Sequence, residues 1–174
     1  MPYQVFDFNP VDRITTDAIG QPGSRVFYLQ ARKDHRLVTL ICEKEHVAGL
    51  AVAIDQVLLS MAEGDVEAVV APDPVIDGGM GLEYPLDPAF RVGEVNLGYD
   101  QANEMLVIIA YELLPEEEDA PPSVARFWAG PAQMRAFSIH GQQVVAAGRP
   151  ICAMCGQPID PKGHFCPRRN GHRQ

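Results

Sequence analysis

Cys152-Ala-Met-Cys155-Gly is followed by His164-Phe-Cys166-Pro, so three of the four cysteines fall within one short segment. A Cys-x-x-Cys turn lets two thiolates face one ion, and the glycine after it takes the backbone through a conformation closed to residues with a Cβ. Cys166 offers a third ligand. The fourth is expected to be an imidazole, because the tail holds no further cysteine. His164 is favoured, since an extended His-x-Cys segment projects both side chains from one face; His172, further along, is the alternative. The expected ion is Zn2+, held by Cys152, Cys155, His164 and Cys166 as a closed tetrahedral set. Four protein ligands leave no position for water or substrate, which makes the ion structural. A redox Cys-x-x-Cys or a disulfide fits less well, because a thioredoxin-type motif needs no third cysteine or histidine nearby.

Elsewhere the candidates for chemistry are sparse. Cys42 precedes Glu43 and His46 but sits in an apolar run, where a free cysteine usually acts as a small core residue. His35 falls in a hairpin turn and His140 within a helical stretch. Asp73, Asp77, Glu83 and Asp87 could gather a hard cation, yet their spacing matches no calcium loop. Asp77-Gly-Gly-Met-Gly81 reads as a turn and not as an anion cradle, because it opens no helix. Phe127 and Trp128 read as core anchors more than as a stacking platform for bases. No nucleophile elbow, phosphate loop or His-Glu-x-x-His motif is present. The sequence assigns no catalytic residue and leans away from an enzyme.

The elements that must carry these residues follow from pattern. Residues 12–19 read as a strand closed by the Gly20-Gln-Pro-Gly23 turn. Val26–Ala31 and Leu37–Glu43 form a first hairpin. From Glu45 to about Met61, Val47, Leu50, Ala51, Ile54, Val57 and Leu58 recur with helical spacing. Residues 63–88 are rich in Pro and Gly, with one short strand expected at Val66–Val70. Phe90–Tyr99 and Met105–Tyr111 form a second hairpin, the latter apolar enough to be central. A second helix begins near Pro131, carries Met134, Phe137, Ile139, Val144 and Val145 on one stripe, and stops at Gly148. The expectation is an α+β fold: an antiparallel sheet from two hairpin-helix units, both helices on one face, plus a C-terminal zinc knuckle.

At 174 residues and 47% apolar composition the chain suits one core-bearing domain, read as 1–148, with residues 149–174 as the knuckle. No export signal or membrane-length apolar stretch is visible, and free thiols arranged for a metal suit a reducing compartment, so a cytoplasmic location is expected. A net charge of −9 disfavours broad nucleic-acid binding. The tail departs from that average, with Arg149, Lys162, Arg168, Arg169 and Arg173 against a single acid, Asp160. Such a knuckle could touch RNA or an acidic partner, including the chain's own Glu116-Glu117-Glu118-Asp119 run, although solvated surface charge is the plainer reading.

The run Val145-Ala-Ala-Gly-Arg-Pro150, the Cys152-x-x-Cys155-Gly-x-Pro158 turn and the segment Asp160-Pro161-x-Gly163-His164-x-Cys166-Pro167-Arg168-x-Asn170-Gly171, together with Phe90-x-Val-Gly and Leu97-Gly-Tyr-Asp100, resemble the bacterial family known as domain of unknown function 3090, met mainly in actinobacteria and relatives. The resemblance implies one compact domain ending in a metal knuckle and assigns no catalytic residue. The expected function is a non-enzymatic binding or adaptor module, with a protein partner or a second copy of the chain as occupant. The alternatives are an enzyme or small-ligand binder using a pocket near residues 63–88, and RNA contact through the basic tail.

Overall fold

The computed structural model describes residues 3–21, 23–62 and 80–147. Its elements are β1 (Val5–Phe8), β2 (Arg13–Ile19), β3 (Val26–Lys33), β4 (Arg36–Cys42), α1 (Lys44–Met61), β5 (Pro88–Asp100), β6 (Met105–Glu112), β7 (Val124–Ala129) and α2 (Pro131–Ala147). Seven strands form one sheet in the order β1-β7-β6-β5-β4-β3-β2. Two three-stranded meanders, β2-β3-β4 and β5-β6-β7, therefore lie side by side, each followed by a helix.

The expected purely antiparallel sheet is corrected on two counts. The joints β4·β5 and β1·β7 are parallel. β4 and β5 are linked through α1 and a long connection, which removes the geometric demand that a tight turn places on neighbours. The units are also larger than hairpins, since β2 joins the first and β7 the second. Val5–Phe8 and Val124–Ala129 are strands that the sequence pattern does not predict: the first is four residues long, and the second stands out in sequence only for Phe127 and Trp128.

β1 and β2 occupy opposite edges yet are joined by residues 9–12 alone. Five Cα steps span at most about 18 Å, whereas the edges of a flat seven-stranded sheet stand about 29 Å apart. The sheet must curl until its edges approach. Contacts across the seam agree: Val11 N–H donates to Trp128 O at 2.8 Å, Asp12 N–H donates to Arg32 O at 2.8 Å, and the Arg36 guanidinium stands 5.0 Å from the Phe8 ring centre.

Strand alternation puts Ile14 and Thr16, Phe27, Leu29 and Ala31, Val38, Leu40 and Cys42, and Leu106, Ile108 and Ala110 on one face. Apart from Thr16, they join Val47, Leu50 and Ile54 of α1 and Met134, Phe137 and Val144 of α2 in a single buried cluster. Full burial of each large aliphatic or aromatic side chain contributes about 1.5–3 kcal/mol. The helices meet at Gly141, where an added Cβ would lie 3.2 Å from Val47 Cγ1 and 3.5 Å from Thr16 Cγ2. A polar bridge reinforces the joint: Ser138 Oγ donates to Asp55 Oδ1 at 2.6 Å and Gln142 Nε2 to Asp55 Oδ2 at 3.0 Å.

Candidate binding cleft at the strand ends

The face opposite the helices carries a buried polar row. Thr15, Gln30 and Thr39 are register partners across β2, β3 and β4, and each is at most 2% exposed. Buried polar groups must be hydrogen-bonded. Gln30 Nε2 donates to Thr39 Oγ1 at 2.9 Å and to Glu83 O at 3.0 Å, and Gln30 Oε1 accepts from Glu83 N–H at 2.8 Å. Thr15 Oγ1 donates to Met80 O, and Arg13 donates to Gly81 O. Residues 80–83 are thereby strapped over this face. Arg32 and Arg13 complete the strap through the Glu83 carboxylate, and the hydrogen bond from Arg32, then the charges of Arg32 and Arg13, hold that carboxyl below its ordinary range against a smaller opposing cost of burial.

Where the strap leads into β5, a cleft of about 400 Å3 opens at the end of the sheet where β1, β4 and β5 begin and β6 stops. Gln4, Phe6, Leu37, Thr39, Asp87, Glu112 and Ser123 supply most of its lining. The polar wall is held by backbone. Glu112 N–H donates to Ser123 O at 2.8 Å, Ser123 N–H returns to Glu112 Oε1 at 3.1 Å, and Gln4 N–H donates to Ser123 Oγ at 3.0 Å. Glu112, Ser123 and Thr39 were not singled out from sequence. One signal was present: Glu112 continues the alternation of Leu106, Ile108 and Ala110, so a carboxylate ends a core-facing row.

The residues anticipated from sequence are not brought together. Cys42 is 4% exposed, and burial, then the neighbouring Glu43 charge, pushes its thiol up to about 12, which makes it a core residue with no usable thiolate. His46 turns away from it: Nδ1 accepts from Glu43 N–H at 3.0 Å, closing the first turn of α1, and Nε2 reaches Gly93 O at 3.3 Å. His35 is exposed in the β3–β4 turn, and His140 lies on α2 with Nε2 4.0 Å from Asp17 Oδ2. Phe127 is fully buried, as a core anchor should be, and Trp128 is half-buried, donating from Nε1 to Asp7 Oδ1 at 2.9 Å. Asp87 reaches the cleft, whereas Glu83 is spent on the strap. Asp73, Asp77, the Val66–Val70 strand and the metal set Cys152, Cys155, His164 and Cys166, with His172, lie outside the described residues. Among the described residues no group of three or more His, Cys, Asp or Glu is placed to hold a metal ion, and no helix is long and apolar enough to cross a membrane.

No curated protein and no solved structure matches the chain. Residues 6–166 match the family described as Protein of unknown function (DUF3090), and the chain belongs to that family.

Proposed function

We propose that the chain is a non-enzymatic binding module: a curled α+β body with both helices on one face, ending in a tail stapled by one Zn2+ on Cys152, Cys155, His164 and Cys166. The observation that carries the reading is the commitment of the reactive side chains to holding the fold. Cys42 is a buried neutral thiol, His46 closes a helix end with one ring nitrogen and meets strand backbone with the other, and Glu83 is clamped by two arginines. The zinc tail, basic where the body is acidic, then serves as the docking element for a protein partner or a second copy of the chain.

A second reading, a small-ligand binder near residues 63–88, is favoured by one observation: Asp87, Pro88 and Ala89 form one wall of the cleft. Electrophilic probes for cysteine and serine nucleophiles, mapped by mass spectrometry on the zinc-loaded protein, test the non-enzymatic reading. Residues 3–147 are expected to remain unlabelled. Stoichiometric labelling of Cys42 or of a body hydroxyl overturns it.

A further inference from the structure

We infer that the cleft at the start of β1, β4 and β5 binds a small organic cation that also carries a neutral oxygen acceptor, an amine or guanidinium joined to an amide or hydroxyl. The inference deepens the second reading, the small-ligand binder, and rests on it. Charge gives the first half of the ligand. Glu112 and Asp87 line the cleft, and among its described lining residues there is no basic side chain. Glu112 accepts from Ser123 N–H through Oε1 alone, which leaves Oε2 with an open acceptor. The half-buried Phe6 ring supplies an apolar wall, its cation-π contact being taken by the chain's own Arg36 guanidinium, 5.9 Å from the ring centre. A cleft with one sign of charge and low-dielectric walls concentrates the opposite ion.

Two buried hydroxyls give the second half. Ser123 and Thr39 are each 2% exposed and both line the cleft. Each oxygen already accepts one hydrogen bond, from Gln4 N–H and from Gln30 Nε2 respectively, and among the described residues neither hydroxyl proton has an acceptor. A buried donor left without an acceptor is costly, so the site is built to give two hydrogen bonds to what enters. Beside two carboxylates that acceptor is a neutral carbonyl or hydroxyl oxygen, since an anion would be repelled. A volume of about 400 Å3 falls within the range of small-molecule sites and suits a ligand of amino-acid size.

The test is a titration of the 15N-labelled full chain with Nα-acetyl-L-argininamide, with its uncharged urea analogue Nα-acetyl-L-citrullinamide and with acetate. Saturable shifts at Phe6, Thr39, Asp87, Glu112 and Ser123 are expected for acetylargininamide, with at least a tenfold weaker response to acetylcitrullinamide and none to acetate. Glu112→Gln, which keeps an acceptor for Ser123 N–H, is expected to weaken acetylargininamide binding about tenfold while leaving resonances of α1 and α2 in place. Shifts confined to residues outside the cleft, equal binding of the uncharged analogue, or unaltered affinity in Glu112→Gln overturns the assignment. Proton spectra of the same samples report hydrolysis of the amide: release of Nα-acetylarginine and ammonia would overturn the non-enzymatic reading, whereas absent binding removes the cleft alone.

Discussion

Arg32 holds Glu83 in a forked ion pair, with Nε 2.9 Å and Nη2 2.7 Å from Oε1 and the same Nε 3.0 Å from Oε2. A residue from the connection between the two meanders is thus anchored to the first meander at a bidentate site, the geometry in which an arginine-carboxylate pair has most directional strength.

This pairing gives stability an acid limb. The Glu83 carboxyl is depressed in the fold relative to the unfolded chain, so its contribution is present above the ordinary carboxylate range and is lost as pH falls through the lower folded value. Glu83→Gln should lower unfolding free energy by only about 1 kcal/mol at neutral pH, because solvent reaches the pair and screens it. The difference from the parent protein should shrink between about pH 5 and pH 2. Urea melts across that range check it, and a difference that stays constant with pH contradicts the ion-pair account.

Two helical glycines should respond in opposite directions. Gly141 sits where α2 crosses Val47 and Thr16, so Gly141→Leu forces the helices apart and should cost about 1–3 kcal/mol. Gly49 on α1 is exposed, and nothing lies within 4 Å of where its Cβ would stand, so Gly49→Ala should stabilise by about 0.5–1 kcal/mol through helix propensity. Thermal melting of both variants distinguishes a close-packed crossing from a loose one.

The single tryptophan reports on the curled edge. Trp128 Nε1 donates to Asp7, tying β7 to β1, and Arg126 Nε adds a 3.3 Å contact to the same carboxylate. Asp7→Ala should shift Trp128 emission and lower stability by about 1 kcal/mol through the lost hydrogen bond. Unchanged fluorescence would mean that β1 does not seat on β7 in solution.

What could be read from sequence divides by the range of the interactions that decide it. α1 was legible because Val47, Leu50, Ala51, Ile54 and Leu58 repeat with helical period, and all five are buried. β6 was legible because a nearly continuous apolar run belongs in the middle of a sheet, and β5 and β7 flank it there. β1 was not, since four residues with Asp7 among them carry little pattern, and their pairing is fixed by β7, with Gln4 and Ser123 119 positions apart. The parallel joint of β4 and β5 likewise depends on where α1 packs, which periodicity does not encode. The cleft escaped notice for the same reason: Thr39, Glu112 and Ser123 come from separate strand ends and become neighbours only once the sheet is assembled. Cys42 was legible as core because its neighbours in the strand are apolar.

X-ray absorption at the zinc edge of the purified full chain tests the central claim most directly. One zinc per chain with three sulfur scatterers at about 2.3 Å and one nitrogen at about 2.0–2.1 Å is the predicted result, with the nitrogen lost in His164→Ala and kept in His172→Ala. A chain that takes up no zinc, or an ion whose shell includes solvent oxygen, would contradict the closed site and with it the non-catalytic tail.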